Sequence, residues 1–315
     1  MDLGWRGQAD MQLVRDDIDF SAYMRETDPA HKVKNAADFE EGVIDYYHNG
    51  GALNGAQLPW PKAGNLIRFR PGEMTLWSGF GGHGKSLVLG QFALAMAARD
   101  IRTGIASLEM KPVITLARMC RQAVMNERPS LEAIRRFHAK TDGRLWLYDH
   151  QGSVNRSVVL AVIRYCADKL KCQHFILDSL MKCGIGEDDY TDQKNFVDDL
   201  TVVARDLGIH VHLVAHSKKG KDELSPPGKM DIKGSGSMAD QVDNVIAVWK
   251  NKQKELDIEN GKGGVLEQPD CLLLVEKQRN GEWEGRIKLW FDKGSQQFME
   301  TGIGRPTDIL GLLDA

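Results

Sequence analysis

The spacing of apolar positions along the chain changes near residue 72. Beyond Pro71-Gly72, short apolar runs alternate with longer stretches of helical periodicity, the pattern of strand–helix–strand units in a mostly parallel sheet. Strands are predicted over 74–78, 103–108, 144–149, 173–178, 209–215, 244–249, 271–277 and 286–291, and helices over 85–98, 112–125, 130–140, 155–170 and 192–207. Arg279-Asn280-Gly281 joins the last two strands as a hairpin signal, so the sheet is expected to end in an antiparallel edge and the fold class is α/β. Ahead of this region Phe39, Val43, Tyr46 and Tyr47 recur at helical spacing behind Asn35 as cap, and Asn49-Gly50-Gly51 ends the pattern. A short amphipathic helix must place its apolar stripe somewhere, either back on its own domain or on a neighbouring subunit. The chain alone favours the former. The expected organisation is a partly ordered arm over 1–34, a linker helix and strap over 35–65, a main domain over 66–300 and a tail over 301–315, with no internal repeat.

Composition narrows the function. The chain is 42% hydrophobic and 27% charged, as in globular domains, and no apolar run approaches the ~18 residues of a membrane span. With 41 basic against 44 acidic residues the net charge is −3, so contact with nucleic acid would have to come from a local basic segment. Cys120, Cys166, Cys172, Cys183 and Cys271 form no C-x-x-C pair, which excludes a zinc ribbon and suits reduced thiols in a cytoplasmic protein. Asp2, Asp10, Asp16 and Asp17 without an apolar stretch argue against a transit or signal peptide.

The strongest motif is Gly79-Phe80-Gly81-Gly82-His83-Gly84-Lys85-Ser86, which fits G-x-x-x-x-G-K-[ST] between a predicted strand and a predicted helix. Glycines let successive backbone N–H groups curl around a phosphate. The helix start adds a positive dipole, Lys85 reaches the outer phosphates, and Ser86 offers a ligand to Mg²⁺. Phe175-Ile176-Leu177-Asp178 is an apolar strand ending in an acid, the form taken by the carboxylate that completes a Mg²⁺ site, though Asp also simply opens turns. Glu109 ends the strand before it in the same way. It is either a base that polarises an attacking water or an acidic helix start ahead of Pro112.

Together with GFGGHGKS, the segments SLEMK (107–111), FILDSL (175–180), VAHSKK (214–219), GSGSMADQVDNVI (234–246) and EKQRNG (276–281) resemble, in order and spacing, the DnaB-type hexameric replicative helicases of superfamily 4. The likeness spans about 70–295. His216, where bacterial members usually carry Gln, and the GSGSM segment look closer to phage primase–helicases and the mitochondrial helicase Twinkle. No zinc-ribbon or acidic primase module accompanies it, which leaves a fragment of a longer primase–helicase or a separately encoded primase. The resemblance implies a RecA-like core, ATP or another NTP or dNTP as substrate, Mg²⁺, and translocation on single-stranded DNA in the 5′–3′ direction. It also implies a homo-oligomeric ring, a hexamer by the family's habit, with primase and polymerase as further partners. It makes Glu109 the catalytic base, Asp178 the metal-holding acid and His216 the γ-phosphate sensor. Lys277 and Arg279 become basic residues reaching a neighbour's γ-phosphate, and Lys250 and Phe291 fall where the base is clamped, each departing from the expected residue type. A solvated hairpin tip remains the plain alternative for Lys277 and Arg279.

Between His216 and Ser237, five lysines (Lys218, Lys219, Lys221, Lys229, Lys233) face three acids (Asp222, Glu223, Asp231), a local net of +2. Lys218, Lys229 and Lys233 with the backbone of Gly234 and Ser235 suit a sequence-blind grip on phosphates, while the absence of aromatics gives no base-stacking platform. The stretch Met181–Asp192 resembles the family's other DNA loop but is acidic, leaving only Lys182 as a contact. A RecA-type recombinase or clock-type scaffold ATPase is the competing reading.

Overall fold

The computed structural model describes residues 35–48, 54–186, 189–216, 223–226 and 236–314, with the backbone of one further strand at Leu13–Val14. A ten-stranded sheet runs through it. In chain order its strands are β1 (Leu13–Val14), β4 (Met74–Ser78), β5 (Thr103–Ser107), β6 (Leu145–Tyr148), β7 (His174–Asp178), β8 (His210–Val214), β9 (Asn244–Lys250), β10 (Cys271–Gln278), β11 (Gly285–Asp292) and β12 (Gln297–Met299). A separate antiparallel pair, β2 (Ala56–Gln57) and β3 (Arg68–Phe69), bounds the strap. The spatial order is β1-β6-β5-β7-β8-β4-β9-β10-β11-β12, parallel up to β9 and antiparallel beyond it. All eight predicted strands and the antiparallel edge are present.

The helices are α1 (Glu40–His48), α2 (Lys85–Ala97), α3 (Pro112–Val124), α4 (Leu131–Thr141), α5 (Arg156–Asp168), α6 (Tyr190–Leu207), α7 (Gly236–Gln241), α8 (Lys252–Glu259) and α9 (Ile309–Asp314). They cover both faces of the sheet because its central strands are apolar on both sides. Trp77 of β4 packs with Phe92 of α2 and Met119 of α3 in one core, while its neighbour Leu76 packs with Phe196 of α6 and Val162 of α5 in the other. The strap joins the first core through Leu58, Trp60 and Ile67. The segment expected as a tail does too: Ile309, Leu310 and Leu313 of α9 are buried, and Asp314 pairs with Arg136 and Lys140.

Three histidines lie in the sheet interior. Trp77 Nε1 donates to His212 Nδ1 at 3.1 Å, leaving His212 Nε2 to face His174 Nδ1 at 3.0 Å. His210 Nδ1 lies 2.6 Å from the Arg70 carbonyl, and its Nε2 lies 2.9 Å from Thr75 Oγ1. The network assigns neutral rings throughout. Burial pushes His210 down to about 3, and His174 and His212 far below the usual imidazole range.

The N-terminal helix departs from its expected placement. Asn35 and Asp38 form a capping box, as predicted for the cap, and a short 3₁₀ turn leads into α1. None of its residues is buried, and Phe39, Val43 and Tyr47 are exposed, so the helix does not fold back on its own domain. The N-terminal arm, β1 apart, lies outside the described residues.

Candidate functional site

Parallel strands end on the same side of a sheet, so the tips of β5, β7, β8 and β4, neighbours in that order, bring four sequence motifs to one edge. The turn after β4 carries the phosphate-binding loop. Gly79 adopts φ +146°, and any Cβ there would collide with the Val248 carbonyl of β9. Gly84, at φ +90°, caps α2 in a left-handed conformation that a side chain would strain. Lys85 is buried and donates to the carbonyls of Gly79 and Phe80, both at 2.8 Å. Burial pulls its ammonium down to about 8, against the opposing pull of Asp178 and Glu109.

Ser86 Oγ donates to Asp178 Oδ2 at 2.5 Å. Burial raises the Asp178 carboxyl, and the Ser86 hydrogen bond works against it. A hydroxyl and a carboxylate so placed are hard oxygen donors that suit Mg²⁺, which usually takes one or two protein oxygens and completes its shell with nucleotide oxygens and water. Among the described residues no cluster of three or more His, Cys, Asp or Glu offers a different metal site.

Glu109, just beyond β5, accepts from Ser179 Oγ at 2.6 Å, and His216 Nε2 lies 3.5 Å from the same oxygen. The hydrogen bond from His216, aided by that from Ser179, holds its carboxyl down to about 2 in spite of burial. A cleft of about 360 Å³ is lined by Gly82, Lys85, Ser86, Glu109, Asp178 and His216 among others. A second, of about 520 Å³, is lined by Gln151, Gly152, Met181 and Lys182, and shares only Glu109 and His216 with the first. These two side chains form the wall between the clefts. Ser179 was not singled out in the sequence, nor were Arg118 and Gln296, which also line the first cleft. A serine after the strand-ending acid was the only available signal.

Lys250 and Phe291 come together with Gly82, His83 and Gly84 around a further cavity of about 150 Å³ at the outer rim of the phosphate loop. There Lys250 Nζ pairs with Glu255 at 2.7 Å, and Phe291 packs on Phe298 with ring centroids 5.0 Å apart. His83 turns its buried ring to this rim, accepting from the Lys250 backbone N–H at 3.1 Å. Lys277 and Arg279 line none of these cavities. Lys277 Nζ donates to the carbonyls of Ala239, Asp240 and Val242 at 2.7–2.9 Å, and so caps the end of α7. Arg279 reaches Asp240 O at 3.1 Å and Asp243 at 3.3 Å from an exposed position. Asp189, expected within an acidic loop, caps α6 through the Asp192 N–H at 2.9 Å. Lys218, Lys229, Lys233, Gly234 and Ser235 lie outside the described residues. All five cysteines are free and buried.

Residues 57–222 match the model of a family described as AAA domain. A DNA helicase/primase of Enterobacteria phage T3 is 26% identical over 213 residues, which are 59% of this chain and 37% of that protein, so the match spans little more than a third of the relative's length. A solved structure described as an ATPase domain superposes with a TM-score of 0.67 at 16% identity, covering 84% of this chain and 99% of its own. A DnaB-like replicative helicase, solved in a study of its interactions with primase, gives 0.66 at 16% identity over 85% of this chain and 67% of its own. The fold is the RecA-like one of these ATPase domains.

Proposed function

This chain belongs to the AAA domain family, and from that premise we propose that it is the motor of a replicative DNA helicase, hydrolysing ATP or another NTP to move along single-stranded DNA as a homo-oligomeric ring. The observation that carries this reading is the meeting of Lys85, Ser86, Asp178, Glu109 and His216 in one cleft at the tips of four adjacent strands. The phosphate loop and Lys85 hold the outer phosphates. Ser86 and Asp178 would hold Mg²⁺, which would supply positive charge against that developing on those phosphates. Glu109 orients and polarises the attacking water, and can take up its proton once His216, whose hydrogen bond holds the carboxyl down, has turned to the phosphate. His216 exchanges its contact with Glu109 for one with the γ-phosphate, and because both side chains also wall the second cleft, that exchange is felt on the side where Lys182 stands.

Arg279 supports a shared site. It lies outside its own subunit's cleft and is exposed, as a residue acting on a neighbour's nucleotide must be. DNA runs along the lysine-bearing connection between β8 and α7, and primase and polymerase are the partners such a motor serves. The test is unwinding of a forked duplex with NTP and Mg²⁺ alongside hydrolysis. The wild type should do both, and Lys85→Ala neither. Robust DNA-stimulated hydrolysis without strand separation on any fork would replace the motor by a recombinase or scaffold ATPase.

A further inference from the structure

Arg279 stands at the root of the β10–β11 hairpin, and the sheet fixes where that root lies. β4 and β9 run parallel with Asn244 level with Thr75, and β10 returns antiparallel so that Gln278 falls level with Asn244. The hairpin therefore leaves the sheet beside the first residues of β4, whereas the phosphate loop follows its last residue, Ser78. The five residues of β4 set the two apart by about 15 Å at ~3.3 Å per residue. Two buried acids fasten the root to the start of β4. The Asp243 N–H donates to the Met74 carbonyl and its Oδ2 accepts the Met74 N–H, both at 3.0 Å. The Asp243 carbonyl in turn accepts the Arg279 N–H at 2.8 Å, and its Oδ1 stands 3.3 Å from Arg279 Nη1. Glu73 holds the turn: its Oε1 accepts from Asn280 Nδ2 at 2.7 Å, and its Oε2 accepts from Asn244 Nδ2 at 3.2 Å. Arg70 pairs with the same carboxylate at 3.6 Å. The register of β10 shifts between Val275 and Lys277, a bulge of the kind that re-aims the chain beyond it.

We propose that Asp243 and Asn280, with Glu73 as the fixed point behind Asn280, are positioning residues for Arg279: they set the guanidinium that each subunit lends to its neighbour before the two subunits meet. This rests on the shared-site reading above and adds to it the groups that aim the finger. An exposed arginine loses rotamer freedom when it takes up one geometry. Bonds made inside its own subunit remove part of that freedom in advance, which is the condition for a charge to act on a transition state without reorganising. A guanidinium carries more N–H donors than the Asp243 and Asp240 contacts use, so donors remain for a phosphate. The Asn280–Glu73 bond is the more telling of the two fastenings, because Asn280 touches neither Arg279's side-chain partners nor its own subunit's nucleotide cleft. A change there reaches hydrolysis only through the aim of the hairpin.

The test uses the full chain with ATP and Mg²⁺, and compares Asn280→Ala with Arg279→Ala and Lys85→Ala, alone and in pairs mixed before nucleotide is added. Asn280→Ala should keep its nucleotide Kd within about 2-fold of wild type while kcat falls at least about 10-fold, as expected when a transition-state group is misplaced. Mixing it with Lys85→Ala should restore part of the hydrolysis, because some interfaces then join its sound phosphate loop to a well-aimed finger. Mixing it with Arg279→Ala should restore nothing, since neither protein supplies that finger. Should Asn280→Ala fail to fold, Asp243→Asn, which keeps an oxygen for the Met74 N–H and weakens the pair with Arg279, is read in the same way. Turnover by the folded variant within about 2-fold of wild type, beside an inactive Arg279→Ala, overturns the positioning role. A lost kcat that Lys85→Ala does not relieve overturns it too, by placing the fault in the variant's own site. Normal turnover by Arg279→Ala itself is the different result that removes the shared-site reading.

Discussion

Raising the pH should weaken nucleotide binding well before ordinary lysines titrate. Lys85 donates two of its hydrogens to loop carbonyls from a buried position, and its ammonium is pulled down to about 8. A bound polyphosphate restores the charged form, so the free protein releases a proton above pH 8 that the complex retains. Binding then takes up a proton, and affinity must fall as pH rises. At pH 9 about nine tenths of free Lys85 would be neutral, a loss of about tenfold in affinity or ~1.4 kcal/mol. If the complex keeps an ordinary lysine value, the effect saturates at roughly 300-fold. The γ-phosphate is already ionised above about pH 7.5 and adds nothing to the slope. Fluorescent nucleotide titrations between pH 7 and 9.5 measure it, with Lys85→Arg as control. The guanidinium keeps its proton, so that variant should bind more weakly but with a flat profile. A wild-type affinity unchanged from pH 7.5 to 9.5 would refute the reasoning, because either Lys85 then keeps its proton to pH 9.5 or the loop does not need its charge.

Three further outcomes are expected. Glu109→Gln keeps an oxygen for Ser179, so it should bind nucleotide normally while turnover falls at least ~10²-fold; unchanged turnover would give the water to another acid. The buried histidines have folded pKa values below their unfolded value near 6.5, so their stabilisation is complete above 6.5 and lost as pH falls toward about 3; His210 alone should cost about 2 kcal/mol at pH 5. Urea midpoints that hold steady from pH 7 to 5 would contradict it. Arg279→Ala should abolish most hydrolysis on its own, a finger being worth ~10³–10⁵ in rate, and regain some when mixed with Lys85→Ala, because certain interfaces then pair an intact loop with an intact finger; normal hydrolysis by Arg279→Ala alone would make it a solvated hairpin residue.

Much of the fold and part of the site could be read from the sequence, for one physical reason. Central parallel strands are buried on both faces and therefore appear as uninterrupted apolar runs, and the residue ending each run falls at the ligand-binding edge. Glu109 and Asp178 stand out as candidates that way and the phosphate loop by its glycines, whereas His216 enters only through the family resemblance. Elements whose burial comes from elsewhere in the chain were missed. α9 is only six residues long, and its three buried side chains gain meaning only against α3 and α4. β12 carries Phe298, whose backbone N–H and carbonyl bond Gln91 and whose ring supports the rim cavity, but three residues give no periodicity. His210 and His212 resemble the polar face of an edge strand, yet both are buried because Thr75, Arg70 and Trp77 satisfy their nitrogens. Pattern reading assigns polar residues to solvent; only tertiary partners reverse that.

α1 poses the converse problem. Its capping box satisfies the first turn, but nine residues are fewer than the ~12–15 an isolated helix needs to persist in water. In globular proteins the difference is normally made up by burying one face, and here Phe39, Val43, Ile44, Tyr46 and Tyr47 are all exposed. The proposed nucleotide cleft is open in a complementary sense, for Lys85 and Arg118 line it but neither basic residue of the hairpin does, while Arg279 stands at an exposed position held, among the described residues, by the end of α7 and Asp243. One feature is an unsatisfied apolar surface and the other a cationic group outside its own site, and they arise from opposite ends of the chain. The ring proposed above would account for both at once: each subunit would offer its neighbour an apolar helix and an arginine, so the interface that stabilises α1 would be the same one that completes the site.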